Sequence, residues 1–223
     1  MKGRNVILLI LLVVLVDQAL KIYIKTNFRL NEAHFIAGQW FRLHFVENEG
    51  MAYGWKLGGD WGKMILTLFR LGAVVFGVWY IRNIIQKKYH RGFIVCAALI
   101  FAGALGNLID SMFYGMIFDE SDFTKVATLF PAKGYAGFLH GRVVDMFYFP
   151  IIRDAHFPTW FPIWGGDDFE FFRPIFNLAD AAISTGVITL LVFQKKFFGP
   201  MDAAENTSTV ETKAVVNDDV QVQ

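Results

Sequence analysis

From Ile175 to Phe193 the chain runs almost wholly through apolar and small residues. That is enough to cross a bilayer as a helix, which takes roughly 20 residues. Near its head, in Phe176-Asn177-Leu178-Ala179-Asp180, sits an aspartate. A carboxylate at membrane depth costs roughly 3 kcal/mol or more, so such residues are rare and face a wet cavity or a partner. A chain with this segment needs neighbouring spans, and among them something for Asp180 to meet.

The composition agrees. Hydrophobic residues make up 55% of the chain and charged ones 18%, below the roughly 25% of a soluble domain. A net charge of +1 gives no reason to expect a nucleic-acid partner. The single cysteine, Cys96, lies in an apolar run as a small hydrophobe and excludes an internal disulfide. Residues 1–200 read as one membrane domain, and the polar stretch 201–223 as a disordered tail.

Four spans are expected, at about 5–24, 64–81, 92–109 and 175–195. The first is a membrane helix rather than a signal peptide, because no small-x-small cleavage site follows Val16. Lys2, Arg4, the basic loop 82–91 and Lys195-Lys196 then fall on one side, which the positive-inside rule makes cytoplasmic, with both termini there. Segments 28–61 and 110–174 lie outside. Trp40 to Asn48 alternates like a half-exposed strand, Glu49-Gly50 makes a turn, and Met51 to Trp55 is a candidate partner strand. The aromatic second segment, with insertions at 116–139 and 150–173, reads as a partly helical, partly irregular subdomain at the interface. The fold class is an all-α membrane protein of four transmembrane helices. It carries a small outer-face β-cradle and an extended outer helical and irregular subdomain.

Asp17, Asp110, Asp145 and Asp180 cluster by depth at the outer side. Asp145 lies in Gly141-Arg142-Val143-Val144-Asp145-Met146-Phe147-Tyr148-Phe149, an apolar run too short to cross the membrane. Two carboxylates brought together in a low-dielectric site share a proton, giving an acid and a base together. That is what water-mediated amide hydrolysis requires. For each acid alone a hydrogen-bonded structural role competes with this. Asp17 with Lys21 reads equally as a salt bridge near the membrane surface or as support for a site. His34, His44, His140 and His156 lack ligand spacing with one another, so no metal or other cofactor is expected.

Asp17-Gln18 with Lys21, Asn48-x-Gly50-x-Ala52, Gly106-Asn107-x-x-Asp110, Val143-Val144-Asp145 and Phe176-Asn177-x-Ala179-Asp180 occur in that order. Together they resemble the lipoprotein signal peptidases, or signal peptidase II, across residues 17 to 180. The resemblance implies a multi-pass aspartyl endopeptidase of the bacterial cytoplasmic membrane with its active site near the outer face. It would remove signal peptides from diacylglyceryl-modified prolipoproteins just before the lipidated cysteine. Asp145 and Asp180 would be the catalytic dyad. Asp17, Asn48, Gly50, Asn107, Asp110, Asn177 and Ala179 would support site and substrate. Its partners would be prolipoproteins and membrane lipid, and it would act as a monomer. A proton-coupled transporter using the same two acids, or a non-catalytic assembly factor, are the competing classes.

Two positions depart from the pattern. Ser111 stands where the family motif continues with arginine, and the link from Asp110 to Asp145 is long. Arg142, three residues before Asp145, is the candidate to supply the missing guanidinium to substrate; snorkelling to lipid headgroups is the equal alternative.

Overall fold

The computed structural model describes residues 1–38, 40–49, 59–150, 152–156, 159–160, 166, 168–171 and 174–198. Three helices are long and apolar enough to cross a membrane: α1 (Gly3–Asn27), α2 (Gly59–Gln86) and α3 (Arg91–Ile117). A shorter apolar helix, α4 (Leu178–Val192), leads into α5 (Gln194–Phe198). The strands are β1 (Ala33–Ala37), β2 (Phe41–Asn48), β3 (Val143–Tyr148), β4 (Ile152–His156), β5 (Asp168–Phe171) and β6 (Ile175–Phe176).

α3 is the hub. Half of its apolar window is buried, against 22% for α1 and 11% for α2. The outer helices turn Leu8, Leu12 and Leu15, and Phe69, Phe76 and Trp79, away from the protein. Exposed apolar stripes of this length suit hydrocarbon and not water. The chain is a membrane-embedded protein.

The strands β1-β2-β3-β6 form one antiparallel sheet, and β4 pairs with β5 in a second. β3 is central and buried at Val143 to Met146, which explains why its sequence is apolar without alternation. It pairs Val46 with Asp145 and Asn48 with Val143. Val144 and Met146 join Phe45, Ile24, Tyr114 and Phe118 in an apolar core between sheet, α1 and α3. A second apolar cluster at the far end of the helices gathers Val6, Ile81, Ile84, Phe93 and Ile94, with Phe197 against it.

Several details differ from the sequence reading. The sheet draws on both connecting segments, not on 28–61 alone. The described partners of β2 are β1 and β3; the candidate strand at Met51 to Trp55 lies outside the described residues, as does the tail 201–223. α3 runs two turns past residue 109, so Asn107 and Asp110 sit inside it with their side chains satisfied by α1. α4 starts at Leu178, because Ile175–Phe176 is drawn into the sheet and Asn177 caps the helix. Among the described residues of 118–174 there are strands, turns and irregular chain, but no helix.

Small residues seat α4 on α3. A Cβ built on Gly106 would lie 2.7 Å from Asp17 Oδ2 and 3.3 Å from Ala179 Cβ, and one on Gly103 would overlap the Ala179 carbonyl oxygen. Gly72 on α2 faces open space. Two glycine-to-alanine changes should therefore act with opposite sign in thermal unfolding in detergent. Gly103→Ala should lose about 1–3 kcal/mol by overpacking. Gly72→Ala should gain about 0.5 kcal/mol by restricting the unfolded chain.

Candidate active site

Four elements meet at the start of α4. α1 brings Asp17, Gln18 and Lys21 on one face, and α3 brings Asn107, Asp110 and Ser111. β3 brings Asp145, and the α4 terminus brings Asn177, Ala179 and Asp180. Asn177, extended at φ −116°, accepts from the Asp180 N–H at 2.9 Å. The Asp180 carboxylate accepts from the Asn177 N–H at 3.2 Å, closing a capping box. The next orphan N–H of the helix, that of Ala179, donates to Asp17 Oδ1 at 2.9 Å. An acid of the first span thus caps the last helix.

Lys21 is completely buried and binds Asp17 Oδ2 at 2.9 Å, Asp110 Oδ2 at 2.8 Å and the Asn107 side-chain oxygen at 2.9 Å. Gln18 donates to Asp110 Oδ1 at 2.9 Å. The Asp17–Lys21 salt bridge is formed, and it is buried in one cluster with Asp110 and Asn107.

Asn177 also joins the two candidate catalytic acids. Its side-chain amide donates to Asp145 Oδ1 at 2.7 Å while its backbone N–H reaches Asp180 Oδ2. Asn107 donates to Asp180 Oδ1 at 2.8 Å, and Asn48 to Asp145 Oδ2 at 3.3 Å. Asp145 is 4% exposed and Asp180 partly exposed. Burial first, and then the charge of Asp180, push the Asp145 carboxyl up to about 7. Two acids beside one another, one of them holding a proton near neutrality, can activate and protonate at a single locus.

The family model described as "Signal peptidase (SPase) II" matches residues 9–196. The chain belongs to the signal peptidase II family. It is 49% identical over 193 residues to a "Lipoprotein signal peptidase" of Porphyromonas gingivalis, covering 86% of this chain and 83% of that one. It is 33% identical over 189 residues to another so named from Amoebophilus asiaticus, covering 83% and 75%. Its fold is similar to a solved structure described as "Bacterial membrane enzyme structure by the in meso method at 2.3 A resolution". That likeness has a TM-score of 0.56 and 24% identity over 91% of this chain and 94% of the other.

In this signal peptidase II family member the structure brings together eight of the ten residues singled out: Asp17, Asn48, Asn107, Asp110, Asp145, Asn177, Ala179 and Asp180. Gly50 lies outside the described residues. Arg142 points elsewhere. Its guanidinium donates to Glu47 at 2.9 Å and to Glu120 at 2.6 Å, and stacks over Tyr135. The reason is parity. Side chains three apart on an extended segment project to opposite faces, so Arg142 sides with Val144 and Met146 and not with Asp145. Neither expectation for Arg142, substrate contact or snorkelling, matches this placement.

The same cluster holds a pair the sequence reading missed. Lys25, completely buried, is ion-paired with Glu47 and donates to Ser121 at 2.7 Å. Burial works against the Glu47 charge, but Lys25 and Arg142 outweigh it and hold that carboxyl below its ordinary range. Glu47 precedes Asn48, so the inserted segment around Glu120 and Ser121 pins the strand end that reaches Asp145. Arg70, noted in the sequence as a charge inside the second span but given no role, donates to Ser111 Oγ at 2.8 Å. A charge in the middle of an apolar span was the available signal.

The raised Asp145 carboxyl makes a stability prediction. An unfolded aspartate titrates near about 4, so between roughly 4 and 7 the native state keeps a proton that the unfolded chain releases. This group's contribution to stability therefore falls as pH rises through that window and is flat above it. Asp145→Asn should unfold at higher temperature than the parent at pH 8, with the gap closing by pH 4. A gap independent of pH would contradict the assignment.

Proposed function

We propose that Asp145 and Asp180 form an aspartyl dyad that cuts diacylglyceryl-modified prolipoproteins just before the lipidated cysteine. Membership of the family makes the chain an aspartic-type endopeptidase that removes signal peptides from prolipoproteins. The transporter and assembly-factor readings give way to it. The assignment of the dyad rests on the bridge made by Asn177, which ties each carboxylate to the same residue.

The chemistry follows from the two environments. Asp180, the more exposed acid, takes a proton from water as the water oxygen bonds to the scissile carbonyl carbon. Asp145 gives its proton to the carbonyl oxygen. The tetrahedral gem-diol collapses as Asp180 gives its proton to the nitrogen, the C–N bond breaks and one hydroxyl returns its proton to Asp145, releasing the new amine and the carboxylic acid. One proton is again shared between the acids. Asn107, Asn48 and Asn177 hold the carboxylates through this cycle, and Lys21 fixes Asn107.

The membrane arrangement extends the same reading. α4 with α5 serves as a fourth span of a single domain. Both termini face the bacterial cytoplasm, and the dyad lies near the outer face of the inner membrane. Supporting this, the helix ends next to Lys2 and Arg4, Lys87 and Arg91, and Lys195 and Lys196 share the apolar cluster remote from the dyad. A lipidated substrate then enters sideways from the bilayer, since its acyl chains gain roughly 0.8 kcal/mol per buried CH₂.

The test is mobility of a co-expressed prolipoprotein on gels, with rates from the purified protein. Asp145→Asn and Asp180→Asn should each lower cleavage by about 10²–10⁴-fold. The double variant should fall little further, because the two act as a unit. Cleavage by the parent should decline as pH rises above about 7, where Asp145 loses its proton. Losses that multiply in the double variant would rule the dyad out.

A further inference from the structure

Arg70 is the sole charged residue of α2 between Lys63 and Arg82. A guanidinium in the middle of a span is costly unless it serves something. It donates to Ser111 Oγ at 2.8 Å, and that hydroxyl donates to the Asn107 carbonyl at 2.9 Å. Asn107 is the residue whose side chain holds Asp180. The Arg70 guanidinium lies within the electrostatic reach of Asp180, Asp110 and Asp145. A positive group has thus been placed beside the dyad from a helix that contributes no carboxylate to it.

We infer that Arg70 is a substrate-binding residue of this site, holding main-chain carbonyl groups of the signal peptide beside the scissile bond while Ser111 fixes its plane. The inference rests on the dyad reading above. A guanidinium carries five N–H donors in one plane, so it holds a hydroxyl and a peptide carbonyl together, and an ammonium cannot copy that fork. A peptide in extended form presents carbonyls and no carboxylates, so its recognition next to two acids calls for donors with positive charge. Those donors also shield the substrate's carbonyl oxygens from the acids. Ser111 is short enough to leave room for a side chain arriving from α2, and its hydroxyl, anchored on Asn107, orients the arriving group.

The experiment uses the full-length protein in detergent and a synthetic peptide with a diacylglyceryl cysteine as probe. Arg70→Met should unfold at or above the parent temperature and raise KM at least tenfold, with kcat changed less. Arg70→Lys keeps the charge but loses the fork, and should also raise KM. The exchange Arg70→Ser with Ser111→Arg returns a guanidinium to the same contact from α3, and should recover at least tenfold in kcat/KM over Arg70→Ser alone. Asp145→Asn serves as the control. If it cleaves normally, the dyad reading is what fails. If it is inactive while folded Arg70→Met keeps the parent KM, the role of Arg70 is overturned and the dyad stands. Full activity in Arg70→Lys would likewise overturn the fork and reduce Arg70 to a counter-charge. A folded exchange variant no better than Arg70→Ser would do the same.

Discussion

The polar interior of this bundle depends on the ammonium of Lys21. It is wholly buried and touches Asp17, Asp110 and the Asn107 oxygen, which binds α1 to α3 at one depth. An ammonium only donates, so the Asn107 oxygen must face it, and the Asn107 NH₂ group is left to point at Asp180. Asp17 spends one oxygen on Lys21 and the other on the Ala179 N–H, which sets the start of α4. One cation thereby determines where the last helix begins and how its carboxylate is held. Removing it would leave two acids buried without compensation, a far larger penalty than replacing the whole cluster by apolar groups.

A second network does comparable work from the opposite side of the sheet. Glu47 collects Lys25, Ser121 and Arg142, with the Lys25 ammonium also over the rings of Phe118 and Tyr135. This joins α1, β2 and the long link between α3 and β3 around one carboxylate. The link is therefore part of the scaffold that fixes Asn48 against Asp145, and more than a surface decoration. Arg142 is consumed in this role, and the guanidinium that reaches Ser111 comes from α2.

What was legible in the sequence was what local pattern encodes. The apolar runs marked the helices, the alternation of Trp40 to Asn48 marked β2 to within a residue, and acids in apolar surroundings marked the site. What escaped needed partners far along the chain. The β1 strand shows no alternating burial, and β6 is two residues long; both exist only because β2 and β3 offer free edges. The extent of α3 escaped because Asn107 and Asp110 look like an exit from the membrane until Lys21 and Gln18 are known to meet them. The direction of Arg142 was within reach of strand parity, had 142–148 been recognised as extended.

The length of α4 has a consequence for the setting in which the chemistry occurs. Fifteen residues rise about 22 Å, whereas a bilayer's hydrocarbon is about 30 Å thick. In the four-span arrangement proposed above, Lys195 and Lys196 of α5 sit at one headgroup layer, and the other end of α4 stops several ångströms short of the opposite one. That arrangement puts the two carboxylates below the plane where lipid tails ordinarily begin, at the bottom of a local depression in the membrane. Lipids around the protein must shorten or tilt to meet it. Acyl-chain length in the surrounding membrane thus becomes a physical variable of the reaction, setting how far water must descend to reach the acids.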